Sequence, residues 1–549
     1  MTREEYANFL LPECKHDRKY YEEKYPKRNL GENVIVTRLA PSPTGMVHIG
    51  SLYQGMVASK LAHQTNGVCF LRIEDTDQKR SIDDGINVII NSLKSYDINF
   101  DEGPILDNNM DKGNYGPYIQ SMRKDIYQAF VKDLIIKDLA YPSFLTPEEK
   151  EKMLSIEKAR KERLGYYGKW TSKERALSID EVVEKIKNGE KYTIRLKSNG
   201  DFDRKIVIND SIKGKIELPE NDMDIVLLKE DGIPTYHFAH AVDDTLMGTT
   251  HVTRGDEWIS SLNIHYELFK VLGFKLPTYA HLATIQKEEN GIRRKISKRK
   301  DPEANVLYYK EKGIPVEAVK IYLYTLANSN FEEWMNNNPD KDIEEFNMTF
   351  DKMSTSGSLF DMDKLLNISR NYLSKLTAIE VYDNLLSWSS IYDKEFNKLI
   401  TKYKDKTIDT LNIERESNKP RKDFAMYSEI KDSIYFMYNE LYEAKDYEWQ
   451  KITNINEIKN ILNIYIDKYY DESLNEEEWF NNVKLLCDNL GYASNMKEYK
   501  KEPDKFKGNV ADISTVIRVA ITTKSRTPNL YDIIKILGKD EIKRRIDMI

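Results

Sequence analysis

The spacing of hydrophobic positions changes several times along the chain. Residues 1 to about 32 are charged, Tyr-rich and helix-like, and end in the turn-prone PKRNLGEN. From Asn33 the β-branched run NVIVTRLA is followed by the loop PSPTGMVHIGS and the helical stretch LYQGMVASKLAHQT. Strand, glycine loop and helix open a βαβ unit. GVCFLRI reads as a second buried strand running into the acidic EDTD. Further apolar runs stand at DIVLLK (224–229), THVTRG (250–255) and YAHLATI (279–285), interleaved with helical periodicity such as SSLNIHYELFKVLG. This alternation predicts an α/β fold, a mostly parallel sheet covered by helices. It breaks between about 108 and 230, where helices and the strand KYTIRLK form an insertion, so the sheet is expected in two halves, 33–107 and 231–300. After about Ala304 long helix-period segments take over, and stripes such as IYIDKYY read as helix core.

Composition narrows the class. At 549 residues the chain has room for three to five domains of ~100–200 residues. With 40% hydrophobic and 32% charged residues it should fold throughout. Lys+Arg 83 against Asp+Glu 90 gives −7, which excludes a polycationic coat; any polyanion partner must meet a local patch. Cys14, Cys69 and Cys487 are too few and too separated for a disulfide framework or a Cys-x-x-Cys metal site, which fits a reducing compartment. The N-terminus lacks the apolar core of a signal peptide and no apolar run approaches the ~20 residues of a membrane span, so a cytoplasmic location is expected. All eight histidines lie at or before His281, which points to chemistry in the first part of the chain and binding in the second.

Two segments carry candidate chemistry. In RLAPSPTGMVHIGS, prolines hold the loop extended while Gly45 and Gly50 let backbone approach a ligand, and the following helix aims free N–H groups at an anion. His48 sits there as a donor or cation able to contact phosphate; alone, such a histidine is more often a satisfied loop residue. In GIRRKISKRKDPEA, Arg293, Arg294, Lys295, Lys298, Arg299 and Lys300 place six cations in eight positions. Such a run is usually a solvated surface, but a mobile lysine loop beside a helix N-terminus suits the charge that builds on a triphosphate under attack.

Taken together, HIGS (His48 to Ser51) and KISKR (Lys295 to Arg299) resemble the HIGH and KMSKS signatures of class I aminoacyl-tRNA synthetases. TRLAPSPTG, FLRIEDTD, GPYIQS, GIPTYHFAHAVDDTLMGTTHVTRGDEW and SLFDMDKL narrow this to a resemblance with the bacterial-type glutamyl-tRNA synthetases, strong over residues 33 to 375. The resemblance implies a Rossmann-type catalytic domain split by an acceptor-stem-binding insertion (108–230), a connecting domain (301–375) and all-α anticodon-binding domains (376–549), with residues 1–32 as an extension without counterpart.

It also implies two chemical steps, ATP-dependent formation of glutamyl-adenylate and transfer to the terminal ribose of tRNA(Glu), with tRNA bound before glutamate is activated. Arg38 would hold the substrate side-chain carboxylate as a bidentate fork, joined by Tyr236; Arg254 would pair the α-carboxylate; Glu74, with Ala40 and Ser42, would take the ammonium. His240, where many relatives have Asn, would hydrogen-bond substrate. ATP would meet His48, Gly50, Ser51, Lys295, Ile296, Ser297, Lys298 and Arg299, with His48, Lys295 and Lys298 as the catalytic cations and Mg²⁺ on the phosphates. Asp75 and Asp77 fit a structural or ATP-side role. No zinc is expected, because no cysteine lies between Cys69 and Cys487. Arg421 falls near where relatives read the last anticodon base, and residues 501–549 carry eleven Lys/Arg against seven Asp/Glu. A monomer is expected. Glutaminyl-tRNA synthetase is the alternative, disfavoured by APSPTG in place of a PEPNG-like loop and by the helical C-terminus; activity on tRNA(Gln) stays open.

Overall fold

A computed structural model describes residues 1–77, 82, 84–106 and 110–549. The expected boundary at 107/108 falls outside the described residues. The chain divides into two compact units, residues 1–308 with 320–361, and residues 309–319 with 362–549.

In the first unit, β1 (Val36–Leu39) and β2 (Val68–Leu71) run parallel in register Val36↔Val68, connected by α3 (Ile49–His63). All four residues of β1 are buried, which explains the uninterrupted apolar texture around Arg38. On β1's other side, Thr250 donates its N–H to Val36 O (3.0 Å) and accepts the Val36 N–H on its hydroxyl (2.8 Å). Thr250 leads directly into β8 (His251–Gly255), which pairs in parallel with β9 (Thr278–Leu282) across α6 (Leu262–Leu272). Chain connections therefore leave β1 and β8 in opposite directions, the topological switch at which open α/β sheets bind ligands.

The insertion departs from expectation in one respect. Its own sheet contains β3 (Ala140–Ser143), β4 (Thr193–Leu196) and β7 (Val226–Leu228), all antiparallel, so DIVLLK belongs here and not to the parallel set. The hairpin of β5 (Lys205–Asp210) and β6 (Gly214–Pro219) instead joins the catalytic sheet, β5 pairing with β9 in parallel at Asp210↔Tyr279. β5 alternates strictly, with Ile206, Ile208 and Asp210 buried, so it has one inner face for the sheet to bury. Residues 108–230 are thus not a self-contained body.

Residues 1–32 are integral rather than appended. Helices α1 (Arg3–Leu10) and α2 (Arg18–Lys24) bury Tyr6, Ala7, Leu10 and Tyr21 in the same core as α4 (Lys124–Ile136). Arg28 pairs both Glu102 oxygens (2.8 and 2.6 Å), donates to Met247 O and lies over the Tyr115 ring. Of the expected connecting region, residues 301–308 and 320–361 belong to the first unit and residues 309–319 and 362–375 to the second. Past residue 361 the second unit is helical, with no strand among its described residues. Tyr465, Ile466 and Tyr470 of IYIDKYY are in its core, as expected, although the turn Tyr465–Tyr469 is π-helical, which brings residues five apart onto one face.

Candidate active site

His48 is the N-cap of α3, its Nδ1 accepting the Gly50 N–H at 2.9 Å. A Cβ on Gly50 would lie 3.0 Å from that nitrogen, so the glycine is what lets the imidazole close on the helix start. Burial, and then Lys298, push the His48 pKa below its ordinary value. His48, Gly50, Ser51, Lys295, Ile296 and Lys298 share a cavity of about 290 Å³ with Tyr53, Glu257 and Thr284, so six of the residues expected around ATP come together. Ser297 and Arg299 do not line it.

The first half of the cationic segment is strand, and Lys298 to Lys300 form a turn after it. Strands β10 (Ile285–Glu289) and β11 (Ile292–Lys295) form an antiparallel hairpin, which divides the apolar run YAHLATI after β9. Arg294 grips both oxygens of Asp301 (2.6 and 2.8 Å), and the same carboxylate accepts the Ser297 N–H at 2.8 Å. These bonds hold the Asp301 carboxyl well below the usual range. Ile296 is buried and donates its N–H to Ile285 O. Lys295 reaches Glu257 at 2.8 Å, and Lys298 donates to Met46 O in the HIGS loop. Asp301 went unrecognised in the sequence, although an acid closing a run of six cations was its signal.

A second, buried charge network lies where β1 meets β8. Arg38 Nε faces both Asp244 oxygens at 3.3 Å, and its Nη1 donates to Thr253 O at 3.3 Å. Asp244 also takes Arg72 Nη1 at 2.6 Å, and Arg72 Nη2 donates to Glu74 at 3.1 Å. Asp243, beside it, accepts from Arg123 (2.7 Å), Tyr127 (2.7 Å) and Gln120 (2.9 Å). Three guanidinium groups thus balance three carboxylates. Burial opposes ionisation of Asp244, but Arg38 and Arg72 hold its carboxyl well below the ordinary value. Burial pushes Glu74 up against the pull of Arg72. Arg38 and Glu74 are expected from the sequence; Arg72, Asp243, Asp244 and Arg123, which join them, are not.

Tyr236 starts α5 (Tyr236–Leu246) with its ring 4.3 Å from Trp258. Arg254, on β8, is buried and has imidazoles as its hydrogen-bond partners: Nε donates to His281 Nε2 at 3.0 Å, and Nη1 and Nη2 reach His265 Nδ1 at 3.2 and 3.3 Å. Ala40 and Ser42 lie in the loop after β1, which Glu74 joins by donating its N–H to Pro41 O. Asp75 accepts from the Ser121 N–H and hydroxyl, a structural placement. His240 differs from expectation. It is fully buried behind Tyr236, Nε2 meeting the Tyr279 hydroxyl at 3.0 Å and Nδ1 lying 2.7 Å from Asp244 without hydrogen-bond alignment. It packs between Tyr236, Tyr279 and Asp244. Among the described residues no group of three His, Cys, Asp or Glu side chains is placed to hold a metal ion.

Residues 34–367 match the family model for the catalytic domain of class I tRNA synthetases (E and Q), and residues 395–549 match an anticodon binding domain. The chain belongs to the class I tRNA synthetases of the E and Q type. The glutamate–tRNA ligase of Clostridium perfringens strain 13 is 45% identical over the whole of both chains, and that of Sorangium cellulosum 38% over 96% of each. The crystal structure of a glutamate tRNA ligase from Elizabethkingia meningosepticum in complex with its amino acid shares 25% identity at a TM-score of 0.74, covering 94% of this chain and 99% of that one. The Clostridium match includes residues 1–32, in keeping with their packing into the core.

In the synthetase's second unit, Arg421 is bound to Asp423 at 2.7 to 3.1 Å and lies 3.4 Å from Glu414. It borders a cavity of about 260 Å³ together with Arg415, Lys524 and Arg526. Lys524 and Arg526 come from the C-terminal segment whose surplus of cations is visible in the sequence.

Proposed function

We propose that the protein attaches L-glutamate to tRNA(Glu) in two ATP-dependent steps. The observation that carries this reading is the set of arginines at the β1/β8 switch point: every carboxylate of the Arg38 network has a guanidinium, while Arg254 has only neutral imidazoles as direct partners, its carboxylate Asp210 standing behind His281, so that Arg254 keeps N–H groups for a ligand carboxylate. Glutamate offers one carboxylate to Arg38 and one to Arg254. Arg38 and Tyr236 take its side-chain carboxylate, Arg254 the α-carboxylate, and Glu74 with the Ala40 to Ser42 loop the ammonium. The incoming ammonium offsets the desolvation that pushes the Glu74 carboxyl up.

The α-carboxylate then attacks the α-phosphorus of ATP and pyrophosphate leaves. His48, Lys295, Lys298 and the N-terminus of α3 stabilise the charge that develops on the phosphates. No side chain acts as a covalent nucleophile; positioning and electrostatics supply the rate. In the second step a ribose hydroxyl at the tRNA terminus attacks the acyl carbon and AMP leaves. Mg²⁺ enters on ATP as part of the substrate. Glu257, the acid that lines the cavity, is already held by Lys295, and Asp301, which follows the cationic turn, by Arg294, so the residues present do not fit a protein-held ion and no step runs through one.

The anticodon binding domain and the cationic cavity beside Arg421 support tRNA contact in the second unit. The three cysteines are free thiols, which supports a cytoplasmic setting. No helix of the described residues is long and apolar enough to cross a membrane. Charging assays with purified tRNA(Glu) and tRNA(Gln) test the reading: glutamylation of tRNA(Glu) is expected. Failure to charge it with glutamate would refute the assignment, and equal charging of tRNA(Gln) would widen it.

A further inference from the structure

The partners of Arg254 fix the direction of a hydrogen-bonded chain through five side chains. A guanidinium only donates, so the two imidazole nitrogens facing Arg254, His281 Nε2 and His265 Nδ1, are acceptors. The protons of these rings are therefore on their far nitrogens. His281 donates through Nδ1 to Asp210 Oδ2 at 2.6 Å, and His265 donates through Nε2 to His237 Nδ1 at 2.9 Å. Asp210 is in turn held by the backbone N–H groups of Ile212, Lys213 and His281. The Tyr279 ring closes one face of the guanidinium, 4.7 Å from its carbon. The chain links β5, β9, β8, α6 and α5, and His265 and His281 are fully buried.

We propose that His265 and His281 are positioning residues for Arg254, holding its guanidinium from two sides with neutral acceptors and keeping the carboxylate of Asp210 one side chain away, so that its remaining N–H groups meet the substrate α-carboxylate. A carboxylate in either place would fix the arginine equally well but would satisfy its charge and compete with the ligand. Three of the five guanidinium N–H groups are engaged, which leaves two for the ligand. The inference rests on the reading of Arg254 as the α-carboxylate partner. It also explains why β5 and β6 leave the insertion for the catalytic sheet: Asp210, at the end of β5, orients His281.

The test uses the geometry of Asn and Gln, whose amide oxygens overlay different imidazole nitrogens, Nδ1 for Asn and Nε2 for Gln. His265→Asn and His281→Gln keep the acceptor that faces Arg254; His265→Gln and His281→Asn keep only the far end. Glutamate KM is measured in tRNA-supported pyrophosphate exchange on the full-length enzyme, together with the inhibition constant of glutamol, the analogue with an alcohol in place of the α-carboxylate. A crossed pattern is expected. KM rises roughly ten- to a hundredfold in His265→Gln and His281→Asn, as for a lost hydrogen bond to a charged group, and by less than about fivefold in the other pair. Glutamol inhibition stays within about threefold in all four. The same order of Asn and Gln at both positions, unchanged KM throughout, or parallel loss of glutamol binding would overturn the proposal. Wild-type enzyme that does not use glutamate would instead refute the functional reading beneath it. If one position does not tolerate substitution, the Asn-to-Gln order at the other still decides.

Discussion

In the cationic segment 293–300 the charges stand near the surface and the two arginines of β11 find acids close by in the chain, Arg293 with Glu288 and Arg294 with Glu289 and Asp301, while around Arg38 the cations are buried and their partners are up to 206 residues away. The same residue types do different work in the two places. Surface pairs cost little to form or lose, so the hairpin can hold lysines ready for phosphate; buried pairs must be complete, because one unpaired charge there costs several kcal/mol. Arg254 meets that requirement indirectly, through two buried imidazoles of which one leads to Asp210, and this separates the pocket that selects a substrate from the surface that stabilises a leaving group.

The sharpest way to break this contrast is to remove one cation from each region. Arg72→Met strips Asp244 and Glu74 of a shared partner and should cost about 3–5 kcal/mol in denaturant unfolding. Arg293→Ala, whose partner Glu288 is 3.6 Å away at an exposed site, should stay within about 0.5 kcal/mol. Equal losses would show that burial does not set the difference. In catalysis the ranking reverses: Lys298→Ala should lower kcat for pyrophosphate exchange about 10²- to 10³-fold with glutamate KM little changed, as for loss of one donor to a developing anion. A rise in glutamate KM with kcat preserved would move Lys298 out of the phosphate site.

Acid sharpens the comparison between units. Burial, with Arg254, pushes His237 down to about 4, and burial pushes His240 down to about 3, whereas the unfolded chain protonates near 6.5. Below about 6.5 the unfolded state takes up protons that the native rings refuse, so stability present at neutral pH is lost as pH falls from about 6.5 towards 4. The second unit has no histidine and lacks this term. Unfolding free energy followed from pH 7 to 4 should fall less steeply in His237→Gln than in wild type; identical slopes would show that the ring titrates normally. The smallest effect is expected at Arg421. Its replacement by Ala should leave stability within about 1 kcal/mol, since its pairs are exposed, and raise the KM for tRNA roughly tenfold while the KM for glutamate holds.

Much of this contrast is legible in the sequence, unevenly. HIGS and KISKR can be read because helix start and hairpin each use residues close together in the chain, and Arg38 and Glu74 stand out as charges at the ends of apolar runs. Arg72 lies two residues from Glu74, but its other partner, Asp244, is 172 residues distant, so only the fold reveals that it joins both halves of the sheet. His265 and His281 look like core residues in helical and strand periodicity until the guanidinium between them assigns their protons. His240 shows how little one sequence says of depth: the first turn of α5 stacks it 6.1 Å behind the Tyr236 ring. The N-terminal helices read as an appendage because their polar faces dominate the composition, while a few tyrosines and leucines carry the packing.

The central claim is that the pocket between β1 and β8 selects a ligand with two carboxylates and one ammonium. Pyrophosphate exchange with glutamate and with glutamine, each with and without tRNA, measures this directly. The account predicts exchange with glutamate when tRNA is supplied and a preference over glutamine of about 10⁴-fold or more in kcat/KM, because an amide leaves Arg38 facing a neutral group. Comparable exchange with glutamine, or none with glutamate in the presence of tRNA, would contradict it.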